Sequence, residues 1–420
     1  SYQPMPGVMA TLTRTGQGET AQYAITSRMQ TGFTFDATGK VLTRTDAQGN
    51  GFEYSYDGEG KLSRISADGG QRFIELNYDA QGRIVSAEDH ANRQVTYNYN
   101  AEGDLNDLTD ILGKNWSYLY DDAHRITRMS DPDGGSVTTE YDMQGRAYRQ
   151  FDAKGNRVVL IVYNEDGSAT VTGANGTEST DVYDPLNALS DSIDPLGGTT
   201  ATERDAHYNP TSITDPGGDT TGLTWSEDGA NLLEVTDAAG QTSSLTYDSY
   251  NNLTGVTDSA GHQTQYFYED SSHPTLVTRI VDAQGTETSY EYDGNGRLIR
   301  TTDPLGHSTS YGYDSFGQRT SVTDALGHST SSSYDDLGRM TDSTGIDGLT
   351  THYEYDAAGR VTLETQTLAG LTPTIVLDRD YDALGHLVQL TVTVGGTVDA
   401  VTDYFYDGFG RIEPIQQHGA

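Results

Sequence analysis

The sequence contains no cysteine, so disulfide staples and thiolate metal sites are both excluded. It has only 9 Phe and 2 Trp, and apolar residues make up 34%. That is short of the roughly 45–50% usual for globular chains, which speaks against a thick packed core. No apolar run approaches the roughly 18 residues that a membrane-crossing helix needs. Basic residues are scarce too: 25 Lys and Arg stand against 62 Asp and Glu, a net charge of −37. A surface this acidic repels phosphate backbones and anionic bilayers, which rules against nucleic-acid and membrane partners. It suits a solvated extracellular or salt-rich setting. The chain opens on Ser1 with no signal-peptide pattern, so the expectation is a processed product or a piece of something longer.

What the chain has in excess is glycine, 48 of 420 residues, and tyrosine, 28. With abundant Thr and Asp, this composition favours strands and tight turns over helices. The residues are periodic. An aromatic–Asp pair followed by Gly begins at Phe35, Tyr56, Tyr78, Tyr99, Tyr120, Tyr141, Tyr163, Tyr183, Arg204, Trp225, Tyr247, Tyr268, Tyr292, Tyr313, Tyr334, Tyr355, Tyr381 and Tyr406. Of these 18 copies 17 are aromatic, and 14 of the 17 spacings are 20–22 residues. A fixed period of this length identifies a repeat array, and the array overrides any domain count from length.

Each repeat position has a physical role. In the copy Thr288–Gly306, Thr288, Tyr290 and Tyr292 alternate with Ser289 and Glu291. A period of two places the Thr and both Tyr on one strand face. Asp293-Gly-Asn-Gly296 is a turn, because Asp bonds its own backbone downstream and Gly accepts positive φ. Leu298–Thr302 is the return strand, and Asp303-Pro-Leu-Gly306 is a second turn. One repeat is therefore one β-hairpin plus the turn to the next.

Four residues after the aromatic, 13 copies have Gly and Asn187 and Asn251 supply two more left-handed positions. The next residue is Lys or Arg in nine copies, including Lys61, Arg83, Arg297, Arg339 and Arg360. The simplest reading is an exposed Asp–Arg pair clamping each turn. The second turns, such as Asp46–Gly49, Asp258–Gly261 and Asp324–Gly327, are less regular, and near residue 173 the aspartate is missing. Extra residues near Glu269–Pro274, Thr367–Pro373 and Thr393–Val401 read as longer surface loops. Arg204 and Trp225 read as ordinary repeat drift.

Stacked hairpins bury a face that one hairpin cannot. Neighbouring tyrosines are expected to form an aromatic ladder that supplies most of the apolar material. Two strands per repeat at about 4.8 Å make a ribbon of about 170 Å. Side chains fill barrels of only about eight strands, so closure would leave a cavity. Periodicity leaves open a hollow coiled shell or a solenoid-like strip with two solvated faces. The expected organisation is a lead-in over 1–30 with strands joining the array, about 18 repeats over 31–412 in one continuous all-β antiparallel sheet, and a tail over 413–420.

The motif Tyr-Asp-x-x-Gly-Arg, with an Asp-x-x-Gly turn about ten residues on, resembles the YD repeat of the Rhs family. The matching copies are Tyr78-Asp79…Gly82-Arg83, Tyr292-Asp293…Gly296-Arg297, Tyr334-Asp335…Gly338-Arg339, Tyr355-Asp356…Gly359-Arg360 and Tyr406-Asp407…Gly410-Arg411. The resemblance covers about residues 31–412. It implies a spiralling sheet wound into a hollow shell, as in toxin complexes that enclose a cytotoxic polypeptide. In teneurins and wall-associated proteins similar repeats serve cell-surface contact. The chain departs from the toxin pattern at Arg411–Ala420, which carries no closing motif rich in Asp, Pro, Gly and Asn. Self-cleavage is thus assigned to no residue.

Other chemistry is set aside. Asp121-Asp122 and Asp335-Asp336 fall on repeated turns, where general acid–base work lacks a sheltered site. Asp131-Pro-Asp133 faintly resembles a calcium loop without its later ligands, so calcium between turns stays open while no cofactor is expected. The ten His show no metal-ligand spacing. Gly294-Asn-Gly296 lacks the rest of a dinucleotide loop. Asn115, Asn175 and Asn252 match glycosylation acceptors, relevant only on a eukaryotic secretory route. The expectation is a non-enzymatic β-shell or scaffold, secreted or at a cell surface, whose partners are an enclosed polypeptide or other domains of a parent chain. The alternatives are an adhesion or filament module that self-associates through sheet edges, and a carbohydrate-binding surface protein.

Overall fold

The computed structural model describes residues 10–27, 30–368, 373–407 and 410–419. Of the regions named above, residues 1–9 and 28–29 of the lead-in, 369–372 of one insertion, Gly408 and Phe409 of the last repeat, and Ala420 lie outside the described residues. The fold is all-β: the described residues form 38 strands of one antiparallel sheet, with two short 3-10 turns beside them. The described pairings join strands consecutive in sequence. In the lead-in, Ala10–Thr15 pairs with Gln22–Ser27, which pairs in turn with Gly32–Phe35. In the expected tail, Gln416–Gly419 is a strand against Thr397–Asp403.

The chain divides into two compact units, one made of Ser1–Ser55, Tyr141–Arg149 and Arg157–Ser308, the other of Tyr56–Glu140, Gln150–Asn156 and Thr309–Ala420. In the second unit the strand register sorts the side chains cleanly. Ile65 lies opposite Ile74, Leu76 opposite Ala87, Ala87 opposite Val95, Leu108 between Tyr97 and Trp116, and Met129 between Tyr118 and Val137. The reverse face carries Arg64 opposite Glu75, Asn77 opposite Ser86 and Asp107 between Asn98 and Ser117. The first unit follows the same rule, with Leu223 opposite Val235, Leu245 opposite Val256 and Tyr266 opposite Ile280.

This apolar face has no second layer to bury it. Among the described residues the buried hydrophobics are Ala21 and Ala230 alone, and no large side chain is fully buried. Ile74, Met129 and Val137 keep 45%, 46% and 41% of their surface exposed. An ordinary domain buries one sheet face against another element. Here lateral pairing substitutes for layering.

Two features differ from the sequence expectation. At the tyrosine end of the hairpins the register slips by one residue: Glu291 pairs with Arg300 but Tyr292 with Leu298, so Ile299 is extra. The same slip recurs at Tyr313, Tyr334, Tyr355 and Tyr381. A bulge of this kind bends the strand and increases its twist. The second turns carry no such slip at Thr323 opposite Ser329 or Thr344 opposite Thr350. The second difference is at 393–401, which is not a longer surface loop. The strands Leu387–Val394 and Thr397–Asp403 are instead lengthened and joined through Gly395 and Gly396 at φ 59° and 83°. Two consecutive positive φ values make the tight hairpin turn that matches strand twist.

Candidate functional site: the repeat turns

The Asp79–Arg83 turn shows how the motif is used. Gly82 N donates to Asp79 O at 3.0 Å and Asp79 N donates to Arg83 O at 2.9 Å. One carboxylate oxygen of Asp79 accepts from the amides of Gln81 and Arg83 at 3.0 and 2.9 Å. The other accepts from Nε and Nη2 of Arg83, both at 2.8 Å. Both guanidinium nitrogens share the one oxygen Oδ2, since Oδ1 is held by the amides, and the contact is a charge-assisted hydrogen bond. Gly82 stands at φ 82°. The turns at Asp293–Arg297, Asp335–Arg339 and Asp356–Arg360 repeat the pattern, with Nε to Oδ2 at 2.6, 2.7 and 2.6 Å. Their glycines 296, 338 and 359 stand at φ 75°, 83° and 84°.

The clamp is not exposed as expected. The side chains of Asp79, Asp293, Asp335 and Asp356 retain only 18%, 22%, 24% and 19% of their surface. For Asp79 the Arg83 amide leads in holding the carboxyl below its ordinary range, with the guanidinium adding to it. For Asp293, Asp335 and Asp356 partial burial pushes upward. The amide and guanidinium bonds of Arg297, Arg339 and Arg360 outweigh it, so these carboxyls also sit low.

The arginine also reaches forward. Arg83 lies over the ring of Tyr99 at 4.4 Å, Arg146 over Tyr163 at 4.0 Å, Arg339 over Tyr355 at 4.7 Å and Arg360 over Tyr381 at 4.6 Å. Lys61 stands over Tyr78 at 5.4 Å, and the His386 ring stacks on Tyr406 at 4.5 Å. At the Arg and Lys copies the ladder is therefore cation on ring and not the expected ring on ring, while His386 on Tyr406 keeps a ring-on-ring stack. Arg339 and Arg360 further donate through Nη1 to Asp356 O and Asp382 O of the next turn, at 2.9 and 3.2 Å.

The tyrosine reaches back. Its hydroxyl donates to the backbone carbonyl just after the preceding repeat's turn: Tyr78 to Leu62 at 2.6 Å, Tyr99 to Ile84 at 2.7 Å, Tyr292 to Val277 at 2.8 Å and Tyr381 to Val361 at 2.8 Å. Tyr334 and Tyr355 do the same toward Arg319 and Met340. Sequence reasoning missed this role. It also changes the reading of the two irregular copies. Trp225 Nε1 donates to Pro210 O at 2.8 Å, and Arg204 Nη2 reaches Leu189 O at 3.4 Å. Both keep the donor while losing the hydroxyl, so they are functional substitutes and not drift.

The glycine position tolerates other residues and keeps its left-handed conformation in every described copy except at Ser272, in the lengthened Glu269–Pro274 turn. His124, Asn187, Tyr208 and Asn251 occupy it at φ 60°, 63°, 69° and 63°. The second turns use the same cap: Asp46 Oδ1 accepts from the amides of Gln48 and Asn50 at 2.9 Å each. Where the aspartate is missing, Gly173 keeps the backbone bonds to Thr177 and Gly176, and Asn175 accepts the Thr177 amide at 3.1 Å. His262, His307 and His328 pair with Asp258, Asp303 and Asp324 at 2.9 Å.

Among the described residues no group of three or more His, Cys, Asp and Glu is arranged to hold a metal ion. Asp131 Oδ1 is occupied by the amides of Asp133 and Gly135, and Asn252 Nδ2 by Asp248 and Pro274. The Glu269–Pro274 insertion tucks His273 in at 7% exposure, paired with Asp270 at 2.8 Å. No described helix is long and apolar enough to cross a membrane.

The chemistry of the site is thus cohesive: it ties each repeat to the ones before and after. This defines a sheet of tandem YD repeats. The RHS Repeat family model matches residues 183–220, 225–273, 275–307, 292–330 and 334–370, and the Teneurin YD-shell model matches 16–199. The chain belongs to the Rhs/YD-repeat family. No curated protein matches it. Among solved structures, the crystal structure of TcdB2-TccC3-Cdc42 is similar with a TM-score of 0.61 at 16% identity, over 96% of this chain and 29% of that one. TcdB2-TccC3-TEV gives the same values. The Photorhabdus luminescens Tc holotoxin pore gives 0.52 at 13% identity, over 95% and 29%. This chain spans under a third of the length of those chains, and the likeness is one of fold.

Proposed function

We propose that the chain is a non-enzymatic wall segment of a YD-repeat shell, secreted or at a cell surface, which encloses or presents a polypeptide belonging to a longer parent protein. The observation that carries this reading is the sheet face of Ile65, Ile74, Leu76, Val95, Leu108, Trp116, Met129 and Val137, which no second layer covers. An apolar face of this extent on a soluble chain marks an interaction surface. Its opposite face carries charged and polar residues such as Arg64, Glu75, Asn77 and Asp107, with Phe73 and Leu119 among them. The turn aspartates are committed to caps, which leaves them no role as acid or base. The family's presence in a toxin-complex fold supports enclosure over adhesion.

The reading is tested by fusing an unstructured reporter after Ala420 and following its digestion by trypsin. Protection relative to the free reporter is expected. Digestion at the free rate overturns enclosure. The filament alternative is separated by sedimentation, since a wall segment stays at one mass across concentration and a filament module does not.

A further inference from the structure

Within each unit, a row of second turns touches a row of tyrosine–aspartate turns from much later in the chain. In the first unit Gln48 Nε2 donates to Thr275 Oγ1 at 3.3 Å and Asn50 Nδ2 donates to Asn295 O at 3.3 Å, across 227 and 245 residues. In the second, Arg72 Nη2 donates to Gln318 Oε1 at 3.2 Å, His90 Nε2 meets Asp336 O at 3.2 Å and Arg93 Nη1 donates to Ala357 O at 3.4 Å, across 246, 246 and 264 residues. Arg72 also lies over Phe316 at 4.4 Å. These contacts come from side chains at turn tips and add no backbone ladder. Polar contacts of that kind are adaptable and do not by themselves fix a register.

One glycine does. A Cβ placed on Gly296 would stand 2.4 Å from Cγ of Gln48, whereas one on Gly338 would first meet Nε2 of Gln318 in the preceding repeat, at 3.2 Å, and then the flexible end of Arg72, Nη2, at 3.3 Å. The same construction on Gly82, Gly103 and Gly359 meets only the cation of the preceding repeat, Lys61, Arg83 and Arg339, at 3.3, 3.7 and 3.7 Å. All five glycines share a positive φ, so the turn alone does not distinguish them. We propose that Gly296 is a docking notch: the missing Cβ admits Gln48 and sets which later repeat seats against which earlier turn. The turn glycine then has two separable jobs, conformation in every repeat and register only where a second row docks.

The chain has no cysteine, so a pair introduced by Asn50→Cys and Asn295→Cys, two residues that touch across the rows, is a clean reporter for a short bismaleimide. The parent pair cross-links within one molecule. Asn tolerates the left-handed conformation, so Gly296→Asn keeps its turn but fills the notch, and cross-linking falls to background. Adding Gln48→Gly restores it, which separates a filled notch from a failed fold. Gly359→Asn, at a similar positive φ and with no atom of the other row within reach of its Cβ, leaves cross-linking at the parent level. The proposal is overturned if Gly296→Asn cross-links like the parent, if Gln48→Gly gives no rescue, or if Gly359→Asn is equally damaging.

Discussion

The indole of Trp225 donates to the carbonyl of Pro210 at 2.8 Å, the same bond that the Tyr292 hydroxyl makes to Val277. An indole N–H and a phenol O–H have little in common except a donor at the tip of a flat apolar body. Their exchange at one repeat position shows that the donor is what the position demands. A Trp225→Phe change removes it and leaves Pro210 O to find water, at a cost of about 0.5–1.5 kcal/mol. Trp225→Tyr recovers most of that loss. Urea unfolding of the three proteins decides it, and equal stability of Phe and Tyr variants would mean that ring packing is sufficient.

The aspartate caps carry a second expectation. Asp335 holds two backbone amides and the Arg339 fork together. Asp335→Asn keeps an amide acceptor but loses the charge that the guanidinium faces. Because the pair is part-exposed and screened, a loss of about 1 kcal/mol follows rather than that of a buried ion pair. Asp335→Ala removes the cap as well and costs more. Hydrogen exchange at Leu337 and Arg339 reports it directly, and unchanged protection in the Ala variant would show the cap to be idle.

Acid should undo the array through these same groups. Asp293, Asp335 and Asp356 hold carboxyls below their ordinary range. A depressed folded pKa contributes stability above the unfolded value near 4, which is lost as pH falls through the folded value. Circular dichroism should therefore be flat from neutrality to about pH 5 and lose β-signal on the acid side of about pH 4. Arg360→Gln lifts Asp356 toward the ordinary range, so its acid limb begins at higher pH. An acid limb identical to the parent's would remove the guanidinium from the account.

The hairpins, the turn aspartates and the left-handed glycines were legible in the sequence because they depend on residue type at short range. Three features were not. The bulge at Ile299 is a matter of backbone register: its counterparts Thr320, Thr341, Thr362 and Val388 are β-branched residues of the kind found throughout these strands, so nothing in them marks a slip. The acceptor of each tyrosine is a carbonyl, which every residue owns, so Arg204 and Trp225 looked like decay. The seam joins Gln48 to Thr275 and Arg72 to Gln318, each more than two hundred residues away, and the residue at the turn position of Gln48 varies from repeat to repeat. The tyrosine ladder was anticipated from the right residues with the wrong partner, since Arg83 and Arg360 reach the rings first.

Gly359 gives the sharpest test of how locally the array is held. It stands at φ 84°, and a Cβ there meets only Arg339 Cδ at 3.7 Å, an ordinary contact. Its replacement is therefore judged on backbone conformation alone. Asn visits the left-handed region readily, whereas a residue that does not costs roughly 1–2 kcal/mol, and Val adds β-branching. Gly359→Val should thus be clearly worse than Gly359→Asn. In a quasi-linear array each repeat depends chiefly on its neighbours, so hydrogen exchange should rise over 334–381. Arg93 donates to Ala357, so it should rise at 89–93 as well. Residues 99–140 of the same unit, which lie outside both contacts, should exchange at the parent rate. Exchange in the Val variant equal to the parent would mean that Gly359 is not conformationally required. A rise spread evenly through 99–140 would instead show that the seam couples the unit into one cooperative body, and the damage would no longer be predictable from the nearest hairpins.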